Sequence, residues 1–209
     1  MQGIRWRNAR RVPNVGDMEE QPGGRLPLLP PDALDAEQHA VWERLTATRV
    51  SAAAGYTAAL PDGRLIGPFN VMLRAPRLAA PLLEWAQAIT RSGIPQDVRE
   101  VVILTVAAHW QAEYALYAHT AAAERADVPA GAIAALRRGG EPSGLSAEAV
   151  VAHRLAVALV RDHHVPDDLY DEAVTTFGVE TLVALVNLIG QYLNTSALLT
   201  CFQVPAPVS

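Results

Sequence analysis

Apolar and polar positions along this chain repeat mostly at helical spacing. Val41, Trp42 and Leu45 share one face at i, i+1 and i+4, which predicts a first helix over about 33–48. Gly55, Pro61-Asp62-Gly63 and Gly67-Pro68 mark the loop that follows. Phe69 to Leu73 reads as a short helix ending before Pro76, and Leu78, Leu82, Leu83, Trp85, Ala86 and Ile89 line a third. Ser92-Gly93 closes that helix with a glycine at its C-terminal side. Residues 96–127 form one long helix or two joined near Trp110, opened by Gln96-Asp97 and ended by Asp127-Val128-Pro129. A short helix over about 129–138 and the loop from Gly139 to Gly144 come next. Ser146 is the expected N-cap of a helix reaching about His163. Pro166-Asp167-Asp168 opens another that Gly178 closes, and a long apolar helix runs from Val179 to about Thr200. No segment sustains the period-2 alternation of paired strands. The expected fold class is all-α, a compact orthogonal bundle. Residues 1–31, rich in Pro, Gly and Arg, read as an extended or flexible arm, and 32–209 as one helical domain.

Composition narrows the function classes. The chain has 209 residues, 50% apolar and 19% charged, which suits one globular domain with a sizeable core. A net charge of -5 weighs against nucleic acid, whose binding draws on an excess of Lys and Arg. The cluster Arg5, Arg7, Arg10 and Arg11 reads as part of a solvated tail. Cys201 is the single cysteine, so no disulfide and no dithiol chemistry can arise within the chain. No apolar run reaches the roughly 18 to 20 residues of a membrane span, and the Arg-rich start lacks the apolar core of a secretory signal. A cytoplasmic protein with no membrane partner is expected.

Candidate chemistry gathers in residues 96–127. Arg99-Glu100 precede His119, nineteen positions after Glu100, with Trp110, Glu113, Tyr114 and Tyr117 between. On a single helix Trp110, Tyr114 and Tyr117 fall at i, i+4 and i+7 and share a face. Ala112, Ala115 and Ala118 leave room beside them. This predicts a wall of aromatic donors next to an imidazole. Asn187, Gln191 and Asn194 form a polar strip on the last helix, near Tyr192, facing a pocket or another subunit. Asp162-His163-His164 is not a metal site on this reading, because adjacent helical histidines point about 100° apart. The Gly23-Gly24 and Gly139-Gly140 pairs lack the context of a phosphate loop.

These residues carry a resemblance. Arg99 to Leu104, Ala107-Ala108-His109-Trp110, Glu113-Tyr114 and Ala118-His119 resemble the core motif of the carboxymuconolactone decarboxylase and alkylhydroperoxidase D superfamily. Gly67 to Leu73 with Pro76, and Gly190 to Asn194 with Val204-Pro205, resemble its decarboxylase-like members, so the likeness spans about 30–207. It implies a domain of about 8–10 helices in trimers or hexamers, with a dimer also compatible. It also implies a site. In the peroxidase branch a Glu, a Cys-x-x-Cys pair and a His form a proton relay. Glu100 and His119 match the acid and the base, while the cysteine positions fall on Ala112 and Ala115.

The departure removes thiol redox chemistry and leaves acid–base chemistry. Expected is a cofactor-independent decarboxylase, or a related lyase or isomerase, acting on a small cyclic or lactone acid, with no metal. His119 transfers the proton, in keeping with an unperturbed imidazole pKa of about 6.5. Glu100 orients the ring. Trp110, Tyr114 or Tyr117 donates to the developing oxyanion or packs on the substrate. Arg99 meets a carboxylate, and Glu113 completes the expected substrate-binding set. The alternatives are a non-catalytic oligomer that binds a small molecule and, least favoured, an alkylhydroperoxidase-like redox protein.

Overall fold

The computed structural model describes residues 22–49 and 55–207. Most of the expected arm, with Arg5, Arg7, Arg10 and Arg11, lies outside the described residues. The part within them, 22–31, lies on its own chain. Arg25 N–H donates to Phe202 O at 2.7 Å, and the Leu29 amide donates to Asn70 Oδ1 at 3.3 Å. The Arg74 guanidinium donates to Pro27 O.

Eight α-helices and no named strand occur among the described residues. They are α1 (Ala36–Arg49), α2 (Pro68–Leu73), α3 (Pro76–Thr90), α4 (Gln96–His109), α5 (Glu113–Arg125), α6 (Ala130–Arg137), α7 (Ala147–Val157) and α8 (Asp167–Cys201). Asp35 and Gln38 start α1 with a reciprocal capping box: each side chain accepts from the other's backbone N–H. Ser146 caps α7 as expected, accepting from Ala149 N–H while donating to Asp97 Oδ2 at 2.7 Å. A π-helical turn, Ala158–Asp162, continues α7. Gly178 breaks α8 with φ 71°, the stop expected there.

α4 is the axis of the molecule. Its residues from Val98 to Ala107 are buried all round, apart from the half-buried Arg99. It touches α5, α6, α7 and α8, which explains why its sequence shows no solvated face. α1, α2 and α3 form a smaller layer around Leu45, Leu65 and Leu73. A third apolar cluster, with Tyr114, Ala115, Ala118 and Leu199, joins the two and borders the site. By length and composition α8 is apolar enough to cross a bilayer. In this fold its inner face packs on α3, α4 and α7, and Val179, Val183 and Val186 are exposed on it.

Candidate active site

The sequence places one carboxylate inside the most buried helix. Glu100 is 5% exposed among Val98, Val101, Val102 and Ile103. A buried carboxylate is tolerated only with hydrogen-bond donors supplied to it. The donor comes from α5, which turns back onto α4 because Gln111 takes up a left-handed φ of 52°. Gln111 N–H bonds to Ala108 O and Ala112 N–H to Ala107 O, the paired closure of a left-handed C-cap. This turn brings His119 over Glu100, with Nδ1 2.7 Å from Oε2.

The other face of the imidazole meets α8. Tyr192 places its hydroxyl 2.9 Å from His119 Nε2, and the two rings meet edge to face at 5.0 Å. The proton positions follow from what each atom can do. A carboxylate only accepts, so Nδ1 carries the hydrogen; in the neutral ring Nε2 then accepts, and Tyr192 O–H donates to it. The three side chains form a chain Glu100–His119–Tyr192 with a buried negative end and a phenol at the other.

That phenol reaches a hollow of about 110 Å³. Phe69, Met72 and Leu83 wall it on one side, Ala115 and Ala118 on another, and Gln191 with Asn194 at the α8 edge. His119 is the one side chain able to carry positive charge on that wall among the described residues. Ala115 lines the hollow, whereas Ala112 is buried as the N-cap of α5 and does not.

The predicted donor wall is not formed. The left-handed turn at Gln111 separates Trp110, at the end of α4, from Tyr114 in α5 and breaks their i, i+4 relation. Trp110 is the C-cap of α4, 37% exposed, and stands apart from the hollow. Tyr114 lends its ring to the wall, but its hydroxyl donates to Thr57 O at 2.7 Å. Burial holds that phenol protonated, raising its pKa far above the usual value. Tyr117 accepts from Thr57 N–H at 3.0 Å. Both tyrosines therefore pin the 55–66 loop instead of facing substrate. Glu113 is exposed in the first turn of α5, away from the hollow. Arg99 donates through Nη2 to Thr90 O at 2.9 Å and lines a neighbouring hollow that shares His119 and Tyr192.

Tyr192 is the member that sequence reasoning left unassigned. It sits 73 positions from His119, and no spacing rule links the two. The polar strip on α8 was the available signal. Gln191 and Asn194 do face the hollow, while Asn187 accepts from Trp85 Nε1–H at 3.2 Å and fixes α3 to α8.

No protein-family profile matches the chain, and no curated protein is significantly similar to it. Among solved structures, it resembles the alkylhydroperoxidase AhpD core of an uncharacterized peroxidase-related protein from Ralstonia eutropha JMP134. The TM-score is 0.69 at 11% identity, over 88% of this chain and 92% of the other. At that identity the likeness shows the fold: all-α and AhpD-like.

Proposed function

We propose that this chain is an acid–base enzyme that needs no organic cofactor, a decarboxylase or related lyase or isomerase acting on a small cyclic acid. The observation that carries this reading is the Glu100–His119–Tyr192 chain ending at a hollow. A buried charge costs stability, so one kept behind an imidazole with a phenol in front supports a role in proton transfer. The neighbour's peroxidase-related description does not carry over to a dithiol mechanism. Ala112 and Ala115 hold no thiol, and Cys201 is exposed at the end of α8.

In the decarboxylation the bond between the substrate carbon and its carboxylate breaks and carbon dioxide leaves. The electron pair is held by conjugation with a neighbouring carbonyl. Gln191 and Asn194, which line the hollow, would offer side-chain amide N–H groups to that oxygen. The carbon then takes the proton of Tyr192 O–H. The neutral His119 then takes a proton from solvent at Nε2, Glu100 stabilises the imidazolium so formed, and Nε2–H passes that proton to the phenolate, which restores Tyr192 O–H. An isomerase would use the same groups without loss of carbon.

The test is carbon dioxide release, with deuterium incorporation from D₂O, across a panel of small cyclic β-keto and lactone acids. Wild type should turn over at least one of them, and His119→Ala should lose about 10²-fold or more. Equal turnover in the variant would remove His119 from the reaction.

A further inference from the structure

The hollow beside Tyr192 is one of two that meet at the same imidazole. The second, of about 220 Å³, shares Tyr56, Ala86, His119, Gln191 and Tyr192 with the first. The two differ in charge. Apart from His119, no ionisable acid or base other than tyrosine lines the first among the described residues. Arg99, Arg125 and Glu100 line the second. Among the described residues, two guanidinium groups against one carboxylate leave a formal charge of +1 there. Arg99 Nε–H is buried without an acceptor, a donor still lacking a partner in a lobe of positive charge. Among the described residues no carboxylate pairs with Arg99.

We infer that the two lobes read the two ends of one substrate: Arg99 and Arg125 hold a single carboxylate, while Phe69, Met72 and Leu83 receive an uncharged, apolar body. The inference rests on the proposed acid–base reading and names its substrate class, a monoanionic cyclic acid. A guanidinium pairs with a carboxylate through parallel N–H donors, so two of them select for that group over its amide. The apolar lobe acts in the opposite sense. A second carboxylate there would lose its water against aliphatic and aromatic side chains with no cation beside it except His119. Diacids are therefore rejected by the lobe that the monoacid fills. An acid spanning both lobes would lie beside His119 and Tyr192, which line both hollows.

The test compares three probes by calorimetric titration: cyclohexanecarboxylate, cyclohexanecarboxamide and cyclohexane-1,4-dicarboxylate. Wild type should prefer the monoacid to the amide and to the diacid by about tenfold or more. Arg125→Gln and Arg99→Gln should each erase most of the preference for acid over amide, and Arg125→Lys should retain part of it, with native circular dichroism in every variant. Equal affinity for acid and amide, preference for the diacid, no binding of any probe, or preference unchanged in folded arginine variants would each overturn the inference. Because Gln at position 99 also loses a bond to Thr90, a misfolded Arg99→Gln leaves the decision to the two Arg125 variants. His119→Ala separates the two claims. Arginine-dependent acid binding that survives while turnover is absent in wild type sinks the reaction alone. His119-dependent turnover with no arginine-dependent preference sinks the substrate class alone.

Discussion

Replacing Tyr192 with Phe removes one oxygen and keeps the ring. The edge-to-face contact with His119, at 5.0 Å and 90°, survives the change. Such a contact is worth about 0.5–1.5 kcal/mol and stays with the variant. What goes is the hydrogen bond to Nε2 at 2.9 Å. A net hydrogen bond contributes about 1 kcal/mol, and Nε2 borders a hollow where water can replace the donor, so the cost sits at the low end. For a chain of this length that lowers the melting temperature by about 2–4 °C. The rate should suffer far more. Loss of a positioned general acid costs about 10²–10⁴-fold, or about 3–5 kcal/mol of barrier. Urea unfolding gives the first quantity and carbon dioxide release the second. The reasoning fails if turnover stays within about threefold of wild type, which is under 1 kcal/mol of barrier. It fails equally if stability falls by about 3 kcal/mol or more, which would make Tyr192 a packing residue.

Four further substitutions, at three positions, test neighbouring parts of the account. Glu100→Gln keeps the size of the buried side chain but not its charge, so turnover should fall about 10- to 100-fold with little change in unfolding; Glu100→Ala should also destabilise by about 2–4 kcal/mol, because the His119 Nδ1–H loses its acceptor and a cavity opens. Gly67 has φ 66°, and a Cβ there would lie 2.2 Å from the Tyr114 ring; Gly67→Ala should lower stability by about 2–4 kcal/mol in thermal melts and release the loop that Tyr114 holds. His153 is buried, with Nδ1 2.9 Å from the Thr105 hydroxyl, and burial lowers its pKa despite Glu141 nearby. The unfolded chain then binds the proton more readily, so stability is full above about pH 6.5 and declines as pH falls, by up to about 1.4 kcal/mol per unit until the folded imidazole also protonates. His153→Asn should flatten that slope in urea titrations between about pH 4 and 7.

Much of the fold was readable because the breaks carry chemistry that the sequence displays. Gly93, Gly178 and the Ser146 cap each sit where a helix ends or begins. The turn between α4 and α5 lacked such a sign. Its left-handed residue is Gln111 rather than glycine, and a face drawn through Trp110, Tyr114 and Tyr117 on one helix fails at that residue. Glu100 and His119 were legible from their nineteen-residue spacing and its resemblance, and the structure brings them to 2.7 Å. The roles of Tyr114 and Tyr117 were not, since Thr57, about sixty positions upstream, takes both hydroxyls. Tyr192 was hidden for the same reason. A contact between α5 and α8 depends on how the whole bundle packs around α4, which no local periodicity records. Composition had already set aside the dithiol reading, because a single cysteine needs no structure to interpret.

The central claim is a neutral His119 that gives its Nδ1 hydrogen to Glu100 and takes the Tyr192 hydroxyl at Nε2. Long-range ¹H–¹⁵N correlation spectra of the ligand-free protein, at a pH where imidazoles are uncharged, read this directly. The account predicts a protonated Nδ1 and a bare Nε2, with the Nε2 resonance moving in Tyr192→Phe and the Nδ1 resonance moving in Glu100→Gln. A hydrogen found on Nε2, or a His119 spectrum indifferent to both substitutions, would contradict it.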